Sequence, residues 1–465
     1  MLIFACEKIK LGEVIPLDWE KTEERLNKLL DSGRHSELRG ALMMLNEVDI
    51  AKFMEGLDKE KLLLVFRVLP KDISADVFAY MSNEQKQALI ESIGDNEIRS
   101  LIEDMFLDDA VDFLEELPAN VVKRILQNTN ESTRNLINQF LRYPENSAGS
   151  LMTIEYVELH KGTTVKQAMD IIRKTGMDKE TIYTLYILDE ARHLVGTLAL
   201  RTLILAQDDA LVEDLMDDHP VFVHTLDDQE KVAEAVREYD LMTIPVVDTE
   251  ERMVGIITVD DVMDVIEDEN TEDFEKMAAL TPSDDQYLKT SPWKLALNRI
   301  PWLLILATIG IFTGMIITNY EDLLAQTSVV LTACIPMLMD TGGNCGAQTS
   351  TLIIRGITLG EISFSDIFKA LWKEFRVSLI VGLVLFAFTF ARVIIVNAAS
   401  VTVALTVSLA LFCTVVISKV LGCTLPLCAK KLGFDPAVMA SPLITTIVDL
   451  TSLTIYFGIA SAILL

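Results

Sequence analysis

Apolar residues recur at three- and four-residue spacing from about Leu17 to Tyr143: Leu62, Leu63, Val65, Phe66 and Leu69, then Val77, Phe78 and Met81, and later Leu117, Val121, Val122, Ile125 and Leu126. That period puts an apolar stripe on each of several short helices, and Pro70, Pro118 and Pro144 fall near their ends. A stack of amphipathic helices is predicted, a surface-rich scaffold without a cleft. Between about Ser147 and Glu269 the period changes to two and the chain repeats itself. Leu185, Tyr186, Ile187, Leu188 and Asp189, followed by Leu194, Val195 and Gly196, return as Ile244, Pro245, Val246, Val247 and Asp248, followed by Met253, Val254 and Gly255, an offset of about 59 residues. Each copy follows a Leu-Met pair (Leu151 and Met152, Leu215 and Met216) and an amphipathic helix, which predicts two βαββα units meeting at acidic turns.

Beyond a linker at 281–285 the pattern changes again. No charged residue occurs from Ile300 to Thr318, about 19 positions and long enough to cross a hydrocarbon core. Five apolar segments are predicted as membrane spans, near 300–318, 323–354 (broken), 371–395, 401–429 and 438–465. Lys289, Lys294 and Arg299 precede the first; Arg355, Lys369, Lys373 and Arg376 separate the second and third; Lys430 and Lys431 separate the fourth and fifth. The remaining loops carry Glu321, Asp322 and neutral residues, so the positive-inside rule puts the N-terminus in the cytoplasm and the C-terminus outside.

Charge sharpens this division. The 465 residues carry 69 acids against 40 Lys and Arg, a net charge of −29, yet the part after Ile300 is balanced at about 8 of each sign. The whole excess therefore sits in the soluble half, where it repels nucleic acid and anionic lipid and attracts polyvalent cations. A well-solvated acidic surface is the plain alternative. The six cysteines form no CxxC pair, which indicates neither a disulfide framework nor a zinc site. The first 15 residues lack a signal-peptide cleavage pattern.

Two places in the apolar half carry chemistry. The run from Ile335 to Gln348 contains Asp340, Gly342, Gly343, Asn344, Gly346 and Gln348, groups that need protein or water around them at membrane depth. Asn344 and Gln348, one helical turn apart, suit the water shell of an ion. A helix-packing or re-entrant segment without a permeant ion is the other reading. The last span holds a lone acid, Asp449, with Thr445 and Ser441 one and two turns back on the same stripe. An acid there normally faces a pathway, and a symmetry mate would supply a second one for hydrated Mg²⁺; a proton relay or helix-pairing acid is the alternative. In the soluble half, Asp108, Asp112 and Glu115 stack on one helical face, as do Asp261, Asp264 and Asp268, followed by Glu269, Glu272, Asp273 and Glu275. Such repulsion is relieved by a bridging divalent cation or by plain solvation.

The repeats resemble a tandem of cystathionine β-synthase (CBS) domains, and the chain from about Glu20 onward resembles the MgtE family of magnesium transporters. The most specific pieces are the run from Pro336 to Gly356, Asp435-Pro436-Ala437, and Pro442 to Asp449. The resemblance implies a multidomain chain: an extension at 1–16, an all-α N domain at 17–144, α/β CBS domains at 145–207 and 208–268, a connecting helix within 269–292, and an all-α five-span transmembrane domain at 293–465. It implies a homodimer in the lipid bilayer, with one pore lined by the second and fifth spans. Asp449 would hold hydrated Mg²⁺, with Thr445, Ser441 and Asn344 nearby. Asp108, Asp112, Asp228, Glu230, Asp240, Asp261, Asp264, Glu269, Glu272, Asp273 and Asp435 match the family's sensing carboxylates, and the backbone near Gly149 and Ser150 its carbonyl ligand. Abundant cytoplasmic Mg²⁺ would bind there and hold the gate shut.

Some family members bind ATP at the first CBS repeat, where an acid for the ribose is expected; this chain has Thr202 there, while Thr258 and Asp261 keep a nucleotide-like spacing in the second. ATP is left open. A CBS-regulated carrier of Mn²⁺, Co²⁺ or a non-metal solute is the alternative function. No Ser/His/Asp, HExxH or Walker-type spacing points to an enzyme.

Overall fold

The computed structural model describes residues 19–464 except 116, 118, 284–286, 289 and 321–328. The extension at 1–16, Pro118, Lys289 and the loop acids Glu321 and Asp322 lie outside the described residues. The chain divides into two compact units, Met1–Ile266 and Glu267–Leu465.

Among the described residues the first unit opens with ten short helices: α1 (Trp19–Asp31), α2 (His35–Leu42), α3 (Glu47–Glu55), α4 (Lys59–Val68), α5 (Lys71–Ala79), α6 (Asn83–Ser92), α7 (Asp95–Asp104), α8 (Leu107–Glu115), α9 (Ala119–Asn128) and α10 (Glu131–Phe140). Each buries one stripe, as the three- and four-residue spacing predicts; Leu62, Val65, Phe66, Val77 and Phe78 are all buried. Phe78 packs edge-on against Phe113, with ring centroids 4.9 Å apart. Polar N-caps start several of the helices. Asp58 accepts from the Lys61 amide at 2.9 Å, and Asn130 from the Thr133 amide at 2.8 Å.

After the turn α11 (Ala148–Leu151), each repeat builds a three-stranded sheet. The first comprises β1 (Glu158–His160), α12 (Val165–Thr175), β2 (Thr184–Leu188), β3 (Leu194–Ala199) and α13 (Leu200–Leu205); the second comprises β4 (Val223–His224), α14 (Gln229–Glu238), β5 (Thr243–Val247), β6 (Met253–Thr258) and α15 (Val259–Met277). In each sheet the first strand pairs parallel to the second and the second antiparallel to the third. The Leu-Met pairs show why the copies belong together. Met216, which opens the second repeat, lies on Gly196 of the first, where an added Cβ would stand 2.7 Å from its sulfur. Met152, ahead of the first repeat, lies on Gly255 of the second in the same way, at 2.8 Å. The two repeats thus exchange their entering segments, and the hydroxyls of Tyr186 and Thr243 meet across them at 2.8 Å.

Among the described residues the second unit has five long helices beyond α15: α16 (Pro292–Asn319), α17 (Val329–Thr358), α18 (Ile367–Ile395), α19 (Val401–Lys431) and α20 (Ser441–Leu464). Four stretches, Pro292–Asn319, Phe364–Ile395, Val401–Lys431 and Pro436–Leu464, are long and apolar enough to cross a membrane. The remaining one, α17, is 30 residues long and carries the polar run. Of the segment expected to be broken at 323–354, residues 323–328 lie outside the described residues, and from Val329 it is a helix whose glycines serve packing: a Cβ on Gly342 would meet Thr414 at 2.7 Å and Ser452 at 2.9 Å, and one on Gly346 would meet Ile444 at 2.9 Å. One expectation changes here. The connecting helix expected from about Glu269 to Lys289 is the continuation of α15 and ends at Met277, two residues before Ala279 takes a left-handed φ of 55°.

Candidate ion pathway and acidic clusters

Close helix packing also places the pore candidates. Asp340, Asn344 and Gln348 follow one another at four-residue steps on α17 and are all exposed, while Leu338, Gly342, Cys345, Gly346 and Thr349 beside them are buried. A carboxylate and two carboxamides therefore lie along the exposed face of a helix whose other side is packed in protein. Asp449 sits half-buried on α20, near enough for the charge of Asp340 to act on it. Thr445 lies one turn before it, its hydroxyl donating to the Pro442 carbonyl at 3.0 Å, which leaves the oxygen's lone pairs available. Ser441 is the first residue of α20. Asp340 was read from the sequence as part of the polar run but not as a pore ligand; its four-residue step to Asn344 was the signal that could have placed it there.

Behind the stripe lies a buried ion pair. Lys419 of α19 is 3.5 Å from Glu374 of α18, and the Thr349 hydroxyl of α17 donates to Glu374 at 2.9 Å while Lys419 donates to Thr349 at 3.1 Å. Three helices are tied by one network of charged and polar side chains.

In the first unit, Asp108 at the start of α8 and Asp261 at the start of α15 come together. Burial, then the charges of Asp261 and Asp109, hold the Asp108 carboxyl well above the usual carboxylate range. Asp261 is pushed up to about 6 by burial and by Asp260 and Asp109, although the Thr258 hydroxyl donates to it at 2.6 Å. Glu180 joins them, pushed up to about 7 by burial and by Asp109, Asp261, Asp260 and Glu155. Glu180 and Asp109 had no sequence signal, since only the fold brings α8, α15 and the segment ahead of β2 together.

Other expected residues lie apart from that cluster. Asp112 and Asp264 are exposed, each one turn further along its helix. Asp228 caps α14, accepting from the Glu230 amide at 2.9 Å, and Asp240 follows the other end of that helix with a φ of 51°, about 15 Å of helix away. The two do not share a site within one chain. Ser150 is buried, its hydroxyl donating to the Ser147 carbonyl at 2.9 Å, and the Gly149 amide donates to the Thr225 carbonyl at 2.9 Å. Asp217, Asp218 and His219 also place ligand atoms within 4.8 Å of one another, but all are exposed and already bonded among themselves.

In the second unit, Glu272, Asp273 and Asp435 converge. Asp435 precedes the 3-10 turn Pro436–Met439 and accepts from the Ala437 amide at 2.8 Å. Lys276 bridges Asp435 and Glu272 at 2.7 Å each. Burial pulls the Lys276 ammonium pKa down, but the hydrogen bonds to Asp435 and Glu272 outweigh it and the net shift is upward. Burial and then the charge of Asp435 raise Asp273. Glu269 lies one turn before Asp273 on α15.

Residues 335–459 match the family described as MgtE, divalent cation transporter; residues 45–146 match the MgtE intracellular N domain, and residues 148–209 and 212–268 each match a CBS domain. The magnesium transporter MgtE of Thermus thermophilus is 35% identical over 449 residues, 96% of this chain and 99% of that protein. The chain belongs to the MgtE family. A second MgtE, from Bacillus subtilis, is 33% identical over 94% of this chain and 96% of its own length. Among solved structures, the soluble part of a magnesium transporter is 31% identical, covering 54% of this chain and 99% of that one, with a TM-score of 0.52. The cytosolic domain of the Mg²⁺ channel MgtE in complex with ATP is 36% identical, covering 52% and 99%, with a TM-score of 0.50. Membership makes this a multi-pass membrane protein of a transporter family.

Proposed function

We propose that this MgtE-family chain is a homodimeric, magnesium-selective channel or transporter for Mg²⁺ uptake, closed by Mg²⁺ bound to its cytoplasmic acids. The observation that carries the reading is the polar stripe of α17, with Asp340, Asn344 and Gln348 exposed in a helix of the apolar domain and Asp340 acting on Asp449 of α20. Exposed carboxylates and carboxamides at membrane depth need water or a second protomer, and a pore between two copies supplies both. Asp449, with Thr445, Ser441 and Asn344 nearby, would hold the ion in its water shell, because Mg²⁺ dehydrates reluctantly and favours one or two carboxylates.

The cytoplasmic acids fit a hard divalent cation. The cluster of Asp108, Asp261 and Glu180 is strained by its own charge, and the second cluster already surrounds a cationic group, the Lys276 ammonium. Asp108 and Asp261, with Asp112 and Asp264 at the rim, would hold Mg²⁺ in the first unit; Glu269, Glu272, Asp273 and Asp435 would hold it in the second. Asp228, Glu230, Asp240 and the backbone at Ser150 complete the proposed sensing set. Bound Mg²⁺ supplies positive charge that removes the repulsion and favours the closed arrangement. The N-terminus lies in the cytoplasm and the C-terminus outside.

Divalent flux into proteoliposomes tests this, with wild type beside Asp449→Ala and Mg²⁺ varied on the face bearing the soluble half. Entry through wild type, loss in Asp449→Ala and suppression by high Mg²⁺ on that face are expected. Normal conduction by Asp449→Ala would remove the pore assignment, and passage of Mn²⁺ or Co²⁺ in preference to Mg²⁺ would favour the other divalent reading. ATP in the similar cytosolic domain favours nucleotide binding as a separate property. Thr202 offers a ribose no carboxylate, and calorimetric titration with ATP decides it.

A further inference from the structure

The helix α15 carries nine acidic residues and one base, Lys276. An exposed Glu272–Lys276 pair at i and i+4 would contribute a few tenths of a kcal/mol and mean little. Here the ammonium has a second partner from elsewhere in the unit. It stands 2.7 Å from Glu272 Oε1 and 2.7 Å from Asp435 Oδ2, with 24% of its side chain exposed. The other oxygen of Asp435, Oδ1, is fixed by the Ala437 amide at 2.8 Å, so Oδ2 is aimed at Lys276 by the backbone. Asp273 is close enough for Asp435 to act on it. One positive charge is thus set among three carboxylates on two elements, leaving the group net negative.

We propose that Lys276 is a tethered cation that occupies the seat between α15 and the loop ahead of α20, and that a divalent ion must displace it, so that Lys276 sets the Mg²⁺ concentration at which this site fills. The inference rests on the sensing role proposed above for these acids. Two consequences follow from charge alone. At low Mg²⁺ the ammonium offsets part of the repulsion between α15 and the loop. As Mg²⁺ rises, the ion gains three carboxylates but works against a neighbouring positive charge that must swing aside, which moves binding to higher concentration. A purely structural ion pair behaves oppositely, because its loss would loosen the acids from one another and weaken metal binding.

The test is a Mg²⁺ titration of the full-length protein in detergent, followed by isothermal calorimetry and by protection from trypsin. Lys276→Met is expected to fill at a Mg²⁺ concentration about 3- to 10-fold lower than wild type, an effect of one unit charge at a partly buried site. Lys276→Arg, which keeps the charge, should stay near the wild-type midpoint. Lys174→Met, the same change of net charge at an exposed position on α12, should leave the midpoint in place. An unchanged or higher midpoint in Lys276→Met, with Mg²⁺ dependence intact in wild type, overturns the inference alone. If neither wild type nor Asp435→Asn responds to Mg²⁺, the sensing role falls and this inference falls with it.

Discussion

A Cβ placed on Gly343 would lie 3.0 Å from the methyl carbon of Thr445, so the helices that carry Asn344 and Asp449 touch backbone to side chain. Thr445 cannot easily turn its methyl away, because its hydroxyl is bonded to the Pro442 carbonyl at 3.0 Å. Gly343→Ala should therefore cost about 1–3 kcal/mol through overpacking. Adding Thr445→Ser removes the obstructing methyl and keeps the hydroxyl, and the double variant should recover most of that loss. Melting temperatures of the four proteins in one detergent check this, and equal melting of single and double variants would contradict it.

The charge of Asp340 on α17 reaches Asp449 on α20. If both face one hydrated cation, Asp340→Asn should reduce Mg²⁺ flux in proteoliposomes by about an order of magnitude, the effect of one carboxylate on cation occupancy, and less than Asp449→Ala. Reversal potentials in mixed Mg²⁺ and K⁺ should shift toward K⁺. Unaltered flux and selectivity would place Asp340 outside the pathway.

The acidic cluster of the first unit predicts an unusual pH response. Glu180, at about 7, and Asp261, at about 6, lie above their ordinary values in the folded chain. An acid raised on folding penalises the native state while ionised, so the penalty is fully present above pH 7 and fades as the pH falls through 7 and then 6. In Mg²⁺-free buffer the first unit should grow more stable from pH 8 to pH 5.5. Glu180→Gln should stabilise it at pH 8 by about 1 kcal/mol, after allowance for its partial exposure, and flatten the profile. Calorimetric melting across that range is the check.

The two CBS sheets were legible because both levels of pattern agreed: period-two runs set the strands, and the repeat at an offset of 59 said there were two of them. The Leu-Met pairs were visible as text, but their exchange, Met152 onto Gly255 and Met216 onto Gly196, is tertiary and leaves no local trace. The polar run of α17 was legible as chemistry, and close helix packing was one of the readings its glycines allowed. Gly342, Gly343 and Gly346 each let a neighbouring helix approach, and in that packed setting their low helix propensity is overridden. Glu180 shows the limit most clearly. Its surroundings in sequence are ordinary, and what raises its pKa is burial first and then the charges of Asp109, Asp261 and Asp260, about 70 positions before and 80 after it.

The network of Lys419, Glu374 and Thr349 gives the last prediction. Lys419 has 7% of its side chain exposed and Glu374 14%, so each charge depends on the other and on the Thr349 hydroxyl for its partners. Removing one charge leaves the other buried without compensation, which typically costs about 3–5 kcal/mol, whereas removing both with side chains of similar volume is close to neutral. Lys419→Met and Glu374→Gln should therefore each lower the melting temperature of the detergent-solubilised protein sharply, and the double variant should melt nearer wild type than either. Because Thr349 belongs to the helix of the polar stripe, the single variants should also lower Mg²⁺ flux, with partial recovery in the double. Additive losses would mean that the two side chains stabilise the helices separately, and that the pair does not hold α17 in place.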